Sequence, residues 1–231
     1  MKNWTTKSGY KIYQVLSLRS NAFLIEAGGF KILVDTGRKI AYKKLLKNLS
    51  FLDCKGIDYL ILTHTHYDHC QNAFALKELY KCKIVASMFE SDFAIAGYTP
   101  VPKGTVAPAR MISALGRILG DKIAGYKPFN ADMIVGEHLG FKKDMGLNID
   151  VIHTPGHSPG SLSVIIDGEI AIVGDTLFGV LRDSIFPPFA DDIPLMKKSW
   201  KQLLDTGCTL FLPGHGRRIR IETLKNALII N

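Results

Sequence analysis

Tyr59-Leu60-Ile61-Leu62-Thr63-His64-Thr65-His66-Tyr67-Asp68-His69 decides how this chain is read. An apolar segment runs into three imidazoles and one carboxylate packed within six residues. That order predicts a buried strand ending in a loop that presents metal ligands. Neutral imidazole and carboxylate suit Zn²⁺, Mn²⁺ or Fe²⁺. The whole chain holds seven histidines, and three of them are here. Taken alone, the run also fits a polar loop of accidental composition, or a surface cluster that binds metal adventitiously.

Three later segments repeat the layout of apolar strand followed by a polar ligand in a Gly- or Pro-containing turn. Val151-Ile152-His153-Thr154-Pro155-Gly156-His157 offers His157, Ala171-Ile172-Val173-Gly174-Asp175 offers Asp175, and Leu210-Phe211-Leu212-Pro213-Gly214-His215 offers His215. Loops at strand ends let a rigid sheet aim several side chains at one point. Glycines beside the ligands let backbone pass close to an ion.

The remaining pattern alternates strand and helix. Strands are expected over 10–16, 22–26 and 30–34, with Gly28-Gly29 as a hairpin turn. Leucines and lysines at helical spacing over 40–49 predict a helix. Further expectations are a strand over 58–62, a helix over 70–80 and a strand over 83–86. Residues 97–108 are rich in Gly and Pro and read as loop. Met111, Ile112, Leu115, Ile118, Leu119 and Ile123 make 109–124 an amphipathic helix, which Gly116 and Gly120 weaken. Strands resume over 149–153, 162–166 and 170–173, with a turn at Asp167-Gly168. A helix over 193–204, a strand over 209–212 and a helix over 222–230 complete the chain. We read 1–231 as one domain, with an inserted, partly helical segment over about 93–132.

Bulk composition narrows the class. The 231 residues are 47% hydrophobic, enough for a substantial core. No apolar run approaches the roughly 20 residues a bilayer span needs. The polar start, 1–10, lacks the apolar centre of a secretory signal, so a cytoplasmic protein is expected. Cys54, Cys70, Cys82 and Cys208 show no paired spacing and read as free thiols. The net charge of +8 favours anionic partners, yet the basic residues are dispersed and no stacking motif accompanies them. A nucleic-acid partner is therefore open but unsupported by motif. A homodimer is equally open.

The HxHxDH run at 64–69, followed in order by His157, Asp175 and His215 and preceded by Asp35 in Asp35-Thr36-Gly37, resembles the metallo-β-lactamase superfamily over nearly the whole chain. The resemblance implies an α/β fold, a four-layer αβ/βα sandwich with a binuclear site at one edge. Carried over residue by residue, it implies that His64, His66 and His157 hold one metal. Asp68, His69 and His215 would hold the other, and Asp175 would bridge them. Two divalent cations, zinc first and iron or manganese as alternatives, would share a hydroxide that attacks an ester, thioester or lactone of a small substrate. Asp68 would orient that nucleophile or accept its proton. Asp35 is expected to fix the tautomer of a ligand histidine through its other ring nitrogen. His153 is expected to be structural, and His138 to sit exposed in a turn.

Within the superfamily, the common β-lactamases carry Cys where Asp175 stands. A flavodiiron protein would carry Glu at His66 and a flavodoxin module, and a nuclease of the β-CASP type would need a larger insertion. The pattern is similar to the glyoxalase II-like, lactonase-like and ribonuclease-like branches, and with only sixteen residues after His215 the glutathione-binding helical region of a glyoxalase II proper is expected to be missing. The other two readings are a mononuclear non-haem iron enzyme similar to persulfide dioxygenases and an RNA-processing metallo-nuclease. The inserted segment is expected to form a lid or pocket wall. Tyr98, Met111, Ile112 and Leu115 would supply apolar contacts, and Arg110 or Arg117 an anion contact. The loop 185–189 would border the same pocket.

Overall fold

Alternation along the strands builds the layers. The computed structural model describes residues 1–17, 19–181 and 184–230, with backbone only at 116–119, 121–123 and 230. The first half contains β1 (Asn3–Thr5), β2 (Lys11–Ser17), β3 (Asn21–Ala27), β4 (Phe30–Val34), α1 (Tyr42–Phe51), β5 (Tyr59–Ile61), α2 (Tyr67–Cys70), α3 (Ala73–Tyr80), β6 (Lys83–Ser87), α4 (Ser91–Ala96), α5 (Ala107–Ala124) and β7 (Met133–Val135). The second contains β8 (His138–Gly140), α6 (Lys142–Met145), β9 (Ile149–His153), β10 (Leu162–Ile166), β11 (Ile170–Gly174), α7 (Ile193–Asp205), β12 (Leu210–Pro213), β13 (Ile219–Arg220) and α8 (Ile221–Ile230).

Strands β1 to β7 lie in chain order in one sheet, and the second sheet runs β13-β12-β11-β10-β9-β8. The first sheet is antiparallel through its hairpins and parallel from β4 to β7; β11 and β12 are parallel in the second. In β3, Ala22 and Leu24 turn outward to meet Leu45 and Leu49 of α1 and Leu76 of α3, whereas Phe23 and Ile25 turn inward. In β10 and β11, Val164 and Ile172 turn inward to the same central layer, and Ile165, Ala171 and Val173 turn outward onto Met196, Trp200 and Leu203 of α7. Period-two strands buried on both faces therefore make a helix–sheet–sheet–helix sandwich. Each fully buried aliphatic side chain in these layers contributes about 1.5–3 kcal/mol relative to exposure.

Several elements depart from the sequence expectation. The helix expected over 70–80 is split into α2 and α3, because the side chain of Asn72 turns aside to donate to the carbonyls of Thr36, Gly37 and Arg38. Helix α5 begins two residues early, with Pro108 in its first turn, where a missing N–H costs nothing. The short strands β1, β7, β8 and β13 and the single-turn α6 carry no periodic signal of their own. His138 lies in the edge strand β8, not in a turn, and its Nε2 is 2.7 Å from Asp150 Oδ1. No helix is long and apolar enough, among the described residues, to cross a membrane.

Candidate metal centre

The ends of β4, β5, β9, β11 and β12 converge on one edge of the sandwich and bring together all seven side chains expected from the sequence to hold metal. Three groups of candidate ligand atoms lie there, each within 4.8 Å of one another: His64, His66 and His157; His64, His69 and Asp175; and Asp68, His69 and His215. The two sheets are stitched together at this edge. Leu162 N–H donates to Thr63 O at 2.7 Å, and Asn21 donates through its backbone to Gly214 O and through its side chain to Pro213 O, each at 2.7 Å. Gly214 is obligatory: a Cβ there would stand 2.3 Å from Asp175 Oδ1 and 2.6 Å from the His69 ring.

Hydrogen bonding fixes which nitrogen each ring turns to the centre. His157 Nδ1–H donates to Phe189 O at 2.9 Å, His66 Nε2–H donates to Pro100 O at 3.2 Å, and His215 Nδ1–H donates to Arg19 O. Carbonyls only accept, so the opposite nitrogen of each neutral ring is a lone pair. Asp35 Oδ2 accepts from His69 Nδ1–H at 2.8 Å and from the Thr63 hydroxyl at 2.8 Å. With its proton committed to Asp35, Thr63 Oγ1 accepts from His64 Nδ1–H at 3.1 Å. One carboxylate thus sets two imidazoles, one directly and one through a threonine. Asp35 is held at φ +60°, a conformation that aspartate tolerates better than most residues.

Ring nitrogens face one another across the centre, and such like pairs repel unless a proton or a metal cation lies between them. His66 Nδ1 and His157 Nε2, both lone pairs, face each other at 3.0 Å, and His69 Nε2 faces His215 Nε2 at 3.2 Å. His215 Nε2 is 3.3 Å from Asp68 Oδ2 and from Asp175 Oδ2. His64 Nε2 and Asp175 Oδ1 are buried with no hydrogen-bond partner. Tetrahedral zinc with bonds of about 2.0–2.1 Å would set its ligand atoms about 3.3 Å apart, so these spacings fit a divalent ion.

Burial pushes His66 and His157 down to about 4, and burial with neighbouring imidazoles pushes His64 well below the usual histidine range. Burial also opposes charge on His69, but Asp175, Asp68 and Asp35 override it and raise that ring to about 9. His215 is raised well above its ordinary value, against its burial, by Asp175 and Asp68. The reverse pairing overcomes burial to hold Asp68 at about 2 and Asp175 well below the carboxylate range. The centre therefore divides into a neutral triad, His64, His66 and His157, and a charged cluster, Asp68, His69, Asp175 and His215.

Two nearby groups are structural. His153 donates to Pro159 O at 2.8 Å and stacks on Phe89, away from the centre. Cys70, with its thiol directed at Thr65 O and its pKa raised by burial, is not among the clustered ligands. All four cysteines are free and buried. Sequence reasoning missed Glu90, which is buried and binds the ligand loop by accepting from Thr65 N at 2.6 Å and Thr65 Oγ1 at 2.8 Å, and from Gly160 N at 3.1 Å. No local motif marks it, since its partners lie far off in the chain.

A cavity of about 350 Å³ opens from the centre. Asp68, His66, His157, Asp175 and His215 form its floor; Val101, Pro102, Ile112, Leu115, Phe178 and the 187–189 loop form its walls. The two wall loops are tied together: Thr105 donates to the carbonyls of Pro187 and Pro188, and Ala190 N–H donates to Lys103 O. Tyr98 packs on Gly120 of α5, where a Cβ would be 2.7 Å from its hydroxyl, so the glycine that weakens the helix permits this contact. Met111 and Arg110 are exposed on α5 outside the cavity lining, and the Arg117 side chain lies outside the described residues.

An αβ/βα sandwich carrying a His- and Asp-rich centre at the shared edge of its sheets is the architecture of a metal-dependent hydrolase. The chain belongs to the metallo-beta-lactamase superfamily, whose family model matches residues 17–215. It is 30% identical over 159 residues to the probable metallo-hydrolase MJ0888 of Methanocaldococcus jannaschii, covering 69% of this chain and 68% of that one. It is 27% identical over 186 residues to the hydroxyacylglutathione hydrolase GloC of Haemophilus influenzae, covering 80% and 79%. For two further curated relatives the match spans only 64% and 63% of their length. Among solved structures, the B3 metallo-beta-lactamase BLEG-1 superposes with a TM-score of 0.70 at 20% identity, covering 93% of this chain and 96% of that one, a likeness of fold.

Proposed function

We propose that this chain is a binuclear hydrolase of small ester, thioester or lactone substrates. His64, His66 and His157 would hold one divalent ion, Asp68, His69 and His215 the second, and Asp175 would reach both. The observation that carries this reading is the crowding of inward ring nitrogens, opposed at 3.0 Å between His66 and His157 and at 3.2 Å between His69 and His215, with every outer ring nitrogen already engaged. Ions held there would supply an activated water and Lewis acidity toward a carbonyl oxygen. The protein's own part is orientation and exclusion. Of the two carboxylates in the cavity floor, Asp68 is the more exposed, 20% against 8% for Asp175, and is placed to orient the nucleophile and accept its proton. Val101, Ile112, Leu115 and Phe178 would hold the acyl side of the substrate and keep bulk water from the reacting carbon. Similarity to a hydroxyacylglutathione hydrolase supports the thioester among the candidate bonds.

The test is metal analysis of the purified chain, followed by thioester, lactone, phosphodiester and β-lactam substrates. Two divalent ions per chain with thioester or lactone hydrolysis are expected. His66→Ala and Asp175→Ala should each lower occupancy and cut turnover by at least roughly a hundredfold. One iron per chain with oxygen consumption would instead establish the mononuclear oxygenase, and unimpaired variants would remove the ligand assignment.

A further inference from the structure

A second groove, of about 870 Å³, lies beside the metal centre, joined to it through His215 and Tyr67, and its charge is one-sided. Arg19, Arg38, Lys39 and Lys44 line it, and no acidic side chain among the described residues does. None of the four has a carboxylate partner among the described residues, where the surface ion pairs involve other lysines. Three of these cations are exposed and Arg38 is half-buried. Such a cluster holds mutual repulsion that an anion relieves.

Two residues join this groove to the cavity. His215 lines the cavity, and its outer nitrogen donates to the backbone carbonyl of Arg19, in the groove wall. Tyr67 also lines the cavity, and the Arg38 guanidinium stands over its ring, 5.4 Å from the centroid. Gln71, one turn after Tyr67, lines the groove and fixes its floor by accepting from Lys39 N–H at 2.7 Å. In the cavity, the wall residues Ile112 and Leu115 are each more than half exposed, as are Val180 and Leu181, which follow Phe178 in the chain. His215 and Tyr67 therefore link an apolar-walled cavity to a basic groove.

We propose that Arg19, Arg38, Lys39 and Lys44 form the binding site for a phosphate-bearing leaving group, so that the substrate is an apolar acyl ester or thioester of a phosphorylated carrier molecule. The acyl chain occupies the apolar cavity and the phosphates occupy the basic groove. The cleaved bond is the acyl C–S or C–O bond: water supplies the hydroxyl of the released carboxylic acid and the proton of the released thiol or alcohol. No phosphorus–oxygen bond changes. This assignment rests on the hydrolase reading above and names the substrate for that same site.

The experiment compares octanoyl-coenzyme A with octanoyl-N-acetylcysteamine, which shares the acyl thioester but has no phosphate. The expected kcat/KM ratio is at least about tenfold in favour of the charged substrate, falling as salt rises from 50 to about 300 mM. In the combined variant Arg38→Gln/Lys39→Gln/Lys44→Gln the ratio should collapse toward about one. A readout independent of turnover is calorimetric binding of adenosine 3′,5′-bisphosphate to the whole protein, which that variant should weaken about tenfold or more. Equal use of both thioesters, or bisphosphate binding unchanged in the variant, overturns the proposal while leaving the hydrolase intact. Hydrolysis of neither thioester nor of the ester and lactone substrates, with bisphosphate binding through these residues retained, removes the hydrolase reading instead. A short single-stranded RNA bound through the same residues at least about a hundredfold tighter than the bisphosphate would show a polynucleotide groove and overturn the proposal.

Discussion

Asp35 shows how much of this centre depends on groups that would not touch an ion. Its Oδ2 fixes His69 directly and His64 through the Thr63 hydroxyl. Asp35→Asn is the informative substitution, because asparagine also accepts a positive φ and should leave the backbone in place. The amide presents N–H where a donor already points, so one imidazole loses its support. Metal affinity should fall about 10- to 100-fold while the fold persists, as competition with a chromophoric chelator would measure. Affinity unchanged from the parent would show that Asp35 merely ends a strand. Charge at the same residues predicts a pH dependence. His69 is raised to about 9 and His215 is raised well above its ordinary value, so both carry protons at neutral pH before a cation enters. Protons must leave as the cation binds, so apparent affinity should rise with pH toward about 9. Calorimetry in buffers of different ionisation heat should show net proton release at pH 7, and no release would contradict the charged cluster. The convergence of the seven candidate side chains was readable because the 64–69 run follows an apolar segment, and His157, Asp175 and His215 each follow one and sit in a Gly- or Pro-containing turn. Their outer partners were not readable, because the carbonyls of Arg19, Pro100 and Phe189 have no side-chain signature and come from distant loops.

Elements then decide what the centre can reach. Ile112 and Leu115 are three residues apart on α5, so they present one face to the cavity. Leu115 is already 56% exposed, so Leu115→Ala should change stability by no more than about 0.5 kcal/mol. It should still raise KM for long-chain thioesters about three- to tenfold with kcat held, because the lost contact is made equally before and during reaction. An unchanged KM across acyl lengths would remove α5 from substrate binding. Glu90 acts at the opposite end of the segment, joining the loop of His64 and His66 to the loop before β10. Glu90→Ala leaves two buried backbone N–H groups without acceptors, at about 1–3 kcal/mol each, and should lower both the unfolding free energy and metal affinity. Denaturant unfolding with and without metal separates the two effects. Helices and strands with strong periodicity, such as α7 and β9 to β11, were legible. The split between α2 and α3 was not, because it arises from Asn72 reaching the 36–38 carbonyls across the fold. Short edge strands were missed because two or three residues cannot display a period.

At the scale of the molecule, the candidate ligands come from both halves of the sandwich: His64, His66, Asp68 and His69 follow β5, while His157, Asp175 and His215 follow strands of the second sheet. Ions held by both groups would fasten one sheet to the other at the edge where Leu162–Thr63 and Asn21–Gly214 already bond. A ligand that binds only the folded chain adds RT ln(1 + [L]/Kd), about 2.7 kcal/mol when present at a hundred times its Kd. For a chain of this size that corresponds to roughly 5–10 °C in Tm, which chelation should remove and re-addition restore. Stripped of metal, the protein should also show a specific acid sensitivity. His66 and His157 stay neutral in the fold down to about 4, whereas an unfolded histidine takes up its proton near 6.5. Between those values the unfolded chain binds more protons, so this contribution is fully present above about 6.5 and is lost as pH falls toward 4. Metal-loaded protein should lose more over the same window, since protonation of the imidazoles also expels the ions. Thermal unfolding of chelated and loaded samples from pH 7.5 to 4.5 should therefore give Tm curves that converge at the acid end. Parallel curves would mean that the cations are not held by the histidines that bridge the two sheets.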